Sequence, residues 1–187
     1  MATYGVTDRC TGGTASADIV NGGNAAANAF DNNESTYWER PAATALPGWI
    51  KYDFGAGVLW AISKLSVLLY SSGSCTWRAF TVNGSNNNSD WTELASLEAA
   101  NTFLGYQTFT WTNRTKYRYI KIIITTDYRA GDNYCSTFEI QMFEGIYPAG
   151  GLGFGNPWMF LKDAWEKHDK LWAPKGLILP KDLSFQI

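Results

Sequence analysis

One carboxylate, Asp31, sits among small polar residues in the stretch 28–38, Asn-Ala-Phe-Asp-Asn-Asn-Glu-Ser-Thr-Tyr-Trp, with large aromatics near both ends. A tight loop of this composition suits a hard cation. Backbone carbonyls, the Asp31 carboxylate and the Thr36 hydroxyl offer oxygen, the ligand atom that calcium takes. The competing reading is a cation-free loop in which Asp31 accepts backbone N–H groups as an Asx turn.

Catalytic chemistry finds little to work with. His168 is the only histidine. No Ser-His-Asp set and no Cys/His metal cluster can be assembled, and the glycine-rich stretches lack the Lys and Ser/Thr of a phosphate loop. The sequence therefore predicts a protein that is not an enzyme.

Sugar recognition fits better. It needs aromatic faces to cover C–H patches, with Arg, Asn, Asp or Glu to reach hydroxyls. Three predicted loops hold such residues: Glu39 and Arg40; Ser72, Ser74, Trp77 and Arg78; and Tyr128, Arg129, Asp132, Asn133 and Tyr134. Of these, Arg40, Trp77, Arg78, Tyr128, Arg129, Asn133 and Tyr134 are the candidate ligand contacts. Against this stands a structural reading, in which Trp38 and Trp77 are core and the arginines pair with carboxylates or water.

The elements that must position these residues read as β-structure. Aromatics make up 16% of the 187 residues and charged residues only 17%, with Gly, Asn, Ser and Thr filling the gaps, the profile of a β-rich module with broad loops. Ile50, Tyr52 and Phe54 alternate with polar partners, as do Leu65, Val67 and Leu69 in the next run. Residues 80–82 and 91–94 flank a polar tip and read as a hairpin. Residues 107–111 form a further strand. Ile120, Ile122 and Ile124 face one way in the most β-prone run, and Phe138, Ile140 and Met142 alternate in the last. Residues 4–27 read as a short edge strand and turns. Short strands separated by turns, with no helical period, predict an antiparallel β-sandwich.

The formal net charge of −2 gives no electrostatic footprint for nucleic acid. No run is apolar and long enough to span a bilayer. The first residues do not read as a signal peptide, so export by that route is not expected. Cys10, Cys75 and Cys135 read as buried thiols, with one disulfide and one spare as the alternative. The sequons at Asn33, Asn83, Asn87 and Asn113 read as ordinary polar loop positions.

The pattern changes near residue 146, dividing the chain into a sandwich over 1–146 and an appendage over 147–187. A Gly-rich hinge is followed by Asn156 as an N-cap and Pro157 at the first helical position. From 158 to 172 the apolar residues fall on one arc, which predicts an amphipathic helix ended by Pro174. That helix either folds back on the sandwich or docks into a protein partner or second copy through Trp158, Leu161, Trp165 and Trp172. Docking is favoured, because a hinge precedes the helix and the sandwich is already complete.

Several segments, in order, resemble the discoidin (factor V/VIII type C, galactose-binding-like) family. They are Ala29-Phe30-Asp31 with Ser35-Thr36-Tyr37-Trp38, Gly48 to Gly55, Ile62 to Leu65, Val82 to Asn86 with Trp91 downstream, Arg118 to Ile122, and Phe138 to Phe143. The resemblance covers roughly residues 4–145. It implies an eight-stranded jelly-roll sandwich with binding loops at one end. It also implies a structural calcium, with carbonyls near Asn28 and Asn33, the Asp31 carboxylate, Thr36 and Glu139 as ligands. The family's usual glycine after Asp31 is Asn32 here, and Asn tolerates the left-handed backbone that glycine supplies. A shared cation accounts for Asp31 and Glu139 better than an acid/base pair, which would need a cleft between them.

Together these readings predict a non-catalytic, glycan-binding module. The appendage and the unexported start suggest a subunit of a larger particle, such as a phage tail, fibre or decoration protein. The alternatives are a purely structural packing subunit and a phospholipid-binding discoidin domain.

Overall fold

The computed structural model describes residues 3–41, 44–69, 77–101, 105–128 and 135–147. They belong to a compact unit over residues 1–148; residues 149–187 form a second unit. The expected helix, with Trp158, Leu161, Trp165 and Trp172, lies outside the described residues.

Ten strands are described: β1 (Thr3–Tyr4), β2 (Thr14–Ala17), β3 (Trp38–Arg40), β4 (Gly48–Asp53), β5 (Ile62–Leu69), β6 (Ala79–Ser85), β7 (Thr92–Glu98), β8 (Gln107–Thr110), β9 (Tyr119–Ile124) and β10 (Cys135–Ile146). The first sheet has the order β1-β10-β5-β8, with β3 also paired to β10. The second has the order β2-β4-β9-β6-β7. The strand pairings are antiparallel. The described residues form an all-β sandwich, and the helical element among them is one short 3-10 turn, Ala26–Phe30. The two strands beyond the expected eight arise from short segments, β1 and β3, that lie along β10.

The core is where the alternation placed it. Leu65, Val67 and Leu69 face Ile50, Phe80, Ile120, Ile122 and Ile124 as buried residues of the two sheets. Trp38 and Trp77 are fully buried. Phe80 packs edge-on against Trp77 and Phe109, at centroid distances of 5.5 and 5.1 Å. Cys10 carries a free buried thiol and Cys135 is also buried. Cys75 lies outside the described residues.

The last strand departs from its expected pattern. Between Thr137 and Glu139 the register against β5 slips, so that Leu69 and Leu68 oppose Thr137 and Glu139. This bulge puts Glu139 and Ile140, neighbours in sequence, both in the interior, while Phe138 is only half-buried. Bulges re-aim side chains in this way.

The register also fixes which end of the sandwich carries the predicted sugar loops. Cys135 pairs with Arg40, Thr137 with Leu69, Ile124 with Gly48 and Phe80, and Ala79 with Glu98. The ends of β3, β5, β7 and β9 and the starts of β4, β6 and β10 therefore lie together.

Candidate functional site

Two clusters matter: the Asp31 loop with Glu139, and the end of the sandwich near Arg78.

Asp31 follows the 3-10 turn and is exposed. Its Oδ1 accepts the Asn33 N–H at 2.9 Å and its Oδ2 accepts the Thr36 hydroxyl at 2.8 Å. The Thr36 hydroxyl also lies 2.9 Å from the Asn33 carbonyl. Asn28 donates its side-chain amide to the Tyr37 carbonyl at 3.1 Å, closing the loop. Asn32 has φ of 57°, the left-handed conformation expected of it.

Glu139 comes to this loop from β10, turned inward by the bulge. It is fully buried, and its Oε1 accepts the Ile140 N–H at 3.3 Å. Its Oε2 is buried with no hydrogen-bond partner among the described residues. Burial, then the nearby Asp31 and Asp8 carboxylates, push its pKa up to about 7, while the Ile140 and Asn32 N–H groups pull the other way. A buried carboxylate oxygen without a partner, beside a second carboxylate and a loop of carbonyls, suits a divalent cation. The residues that would hold such an ion are Asn28, Asp31, Asn33, Thr36 and Glu139. No cluster of three or more His, Cys, Asp or Glu capable of holding a metal occurs among the described residues, so carbonyls and a hydroxyl would have to complete the shell.

At the loop end, Arg78 is half exposed and its Nε lies 2.7 Å from the Glu98 carboxylate. The guanidinium sits 5.6 Å from the centroid of the Tyr128 ring. The Tyr128 hydroxyl donates to the Ala99 carbonyl, and the Ala99 N–H donates to the Arg78 carbonyl at 2.9 Å. Arg78, Glu98 and Tyr128 are therefore one cluster of charge and aromatic ring, locked to the backbone.

Two other sugar candidates lie elsewhere than expected. Arg40 is 1% exposed. Its Nε donates to Asp18 at 2.9 Å, and its two terminal nitrogens donate to the Thr44 and Ala45 carbonyls at 2.7 Å each. Gly48 makes room for it: a Cβ there would stand 2.4 Å from the Arg40 Nε. Arg40 is thus a buried strut that ties the β3–β4 connection to the sheets, not a surface contact. Trp77 is buried against Phe80, which is the core reading. Arg129, Asn133 and Tyr134 lie outside the described residues, as do Ser72, Ser74 and Asp132.

Sequence reasoning missed Glu98, which anchors Arg78, and Tyr106, whose hydroxyl donates to Glu34 at 3.1 Å. The second contact ties the 28–38 loop to the segment before β8. Neither has a spacing signal, since each pair is brought together only by the fold.

The F5/8 type C domain family matches residues 12–140. Comparison with the curated proteins finds no match. Among solved structures, the family 32 CBM from C. perfringens NanJ, in complex with galactose, has a TM-score of 0.64 at 22% identity, covering 77% of this chain and 100% of that one. The CBM32 of AlyQ, in complex with 4,5-unsaturated mannuronic acid, has a TM-score of 0.58 at 21% identity, covering 70% and 93%. The CpGH89CBM32-5 domain from Clostridium perfringens, in complex with GalNAc-β-1,3-galactose, has a TM-score of 0.62 at 18% identity, covering 72% and 96%. These likenesses show a shared fold. The match over residues 12–140, on a sandwich with this strand order and an Asp31 loop facing Glu139, places the chain in the F5/8 type C (discoidin) domain family.

Proposed function

We propose that the sandwich is a non-catalytic recognition module that binds a glycan at the loop end near Arg78. The observation that carries this is the Arg78–Glu98–Tyr128 cluster, an exposed ion pair beside an aromatic ring fixed by its hydroxyl. A ring face covers the C–H side of a pyranose, and a charged pair offers both donors and acceptors to hydroxyls. The named neighbours bind galactose, 4,5-unsaturated mannuronic acid and GalNAc-β-1,3-galactose, which supports a sugar over a lipid. The relatives lend no support to a virion role.

A glycan array of the full chain tests the reading. Binding to one glycan class, lost by more than about tenfold in Arg78→Ala and Tyr128→Ala, is expected. No binding on a broad array favours a structural packing role, and cleavage of a bound glycan overturns the non-catalytic assignment.

We propose further that a calcium ion is held by Asp31, Glu139, Thr36 and the carbonyls near Asn28 and Asn33. It would supply fixed positive charge between two carboxylates. Thermal melts with calcium and with a chelator should differ, because a ligand bound only by the folded state raises stability by mass action. Asp31→Ala should remove the difference.

A further inference from the structure

The outer face of the second sheet carries a feature that the loop end does not explain. Lys51 on β4 and Lys121 on β9 are direct cross-strand partners. Both are on the outward side of their strands, because Ile50, Tyr52, Ile120 and Ile122 on either side of them are buried. Like charges directly opposite one another in a sheet are destabilising. Among the described residues, the carboxylate that interacts with Lys51 is Asp53, and it is engaged by Arg118 at 2.7 and 2.8 Å. Lys51 donates to the Asn88 side-chain carbonyl at 2.7 Å, a neutral group. The Lys121 ammonium lies 3.8 Å from the Trp91 ring centroid. Among the described residues, neither ammonium reaches a carboxylate: the four ion pairs are Arg9–Glu144, Arg40–Asp18, Arg78–Glu98 and Arg118–Asp53.

Aromatic rings surround the two cations. Trp49 and Tyr119 lie 5.4 and 5.8 Å from the Lys51 ammonium, and Trp91 meets Tyr119 at 6.5 Å. Trp49, Trp91 and Tyr119 are all part-exposed. A cation over a ring gains about 0.5–1 kcal/mol at such a site, but the ring does not neutralise it. Burial and the Lys51 charge both hold the Lys121 pKa below its ordinary value. A like-charged pair, its Lys121 member partly desolvated, within an aromatic frame is the arrangement that one anionic group on a ring-shaped ligand would complete.

We propose that this face is a second binding surface, for a carboxylate-bearing sugar of an acidic polysaccharide, with Lys51 and Lys121 on the carboxylate and Trp49, Trp91 and Tyr119 flanking the rings. It is separate from the loop end and does not depend on the glycan reading there. A nucleic-acid backbone fits less well. It calls for a run of cations, whereas among the described residues this face has two without an ion pair, Arg118 being held by Asp53 at 2.7 and 2.8 Å.

Calorimetric titration of the full chain with trigalacturonate, its methyl ester and a short oligothymidylate tests the proposal. Trigalacturonate should bind, with affinity falling as salt is added. The ester and the oligonucleotide should bind at least about tenfold more weakly. The double variant Lys51→Gln/Lys121→Gln should stay folded, as a retained cooperative melt will show, and lose at least about tenfold in affinity for trigalacturonate. Amide shifts in the unmodified chain, which need no variant, should move at residues 49–51, 91 and 119–121. The proposal is overturned if trigalacturonate does not bind, if the ester binds equally well, or if the shifts move only at the loop end. Equal or tighter binding of the oligonucleotide would reassign the face to nucleic acid and overturn it too.

Discussion

Charged residues in this domain follow two different rules. Arg40 gives up its water entirely and is repaid by three directed bonds to Asp18 and to the Thr44 and Ala45 carbonyls. Nothing in its surroundings in sequence announces this, because the partners come from two separate connections and a periodicity argument assigns an arginine to the surface. Asp53 and Arg118 form a more open, bidentate pair across β4 and β9. The Arg118 hydrogen bond holds the Asp53 carboxyl below the ordinary carboxylate range. A depressed folded-state pKa contributes stability that is complete above the unfolded value, about 3.9, and is lost as pH falls through the folded one. Asp53→Asn should therefore lower the melting temperature near neutral pH. The gap from the unmodified protein should close as the pH falls through the lowered folded-state pKa of Asp53.

Strands were the most legible level. Ile120, Ile122 and Ile124 alternate in the sequence and are all fully buried in β9, the middle strand of the second sheet. Ile122→Ala should cost about 2–5 kcal/mol in a urea titration. Ile123→Ala, on the opposite side of the same strand, should cost about 1 kcal/mol or less. The bulge at Glu139 was not legible, although Phe138, Ile140 and Met142 alternate as a regular strand would. A bulge is a property of two strands in register, and no single strand's pattern contains it. The Glu139 position in the metal set came instead from the family resemblance. Arg78 was legible as a loop cation, but its neighbour Glu98 was not, since the two meet only when β6 and β7 pair.

The domain as a whole ends in a clasp. The Tyr147 hydroxyl lies 2.8 Å from the Ser63 hydroxyl, accepts the Asn113 N–H at 2.9 Å and reaches the Trp111 carbonyl at 3.4 Å. Three segments are joined by one side chain just beyond β10. A chain cut after residue 148 should therefore fold alone, with a denaturation midpoint close to that of the full protein. One cut after residue 146 should lose about 1–3 kcal/mol, the cost of stranding buried polar groups. If the first truncation fails to fold, the sandwich does not stand without the remaining residues.

The pairing of β1 with β10 also has a mechanical meaning. Thr3 lies opposite Ile146 and Tyr4 opposite Gly145, so the chain enters and leaves the sandwich side by side. β10 runs toward this point from Cys135 at the loop end, which puts both junctions at the pole away from Arg78. A load applied through the two junctions would peel β1 from β10 one hydrogen bond at a time, as a zip opens, instead of shearing the ladder at once. The first yield under tension would thus fall at the chain's points of attachment, leaving the loop end under no direct strain while the two short end residues of β1 give way.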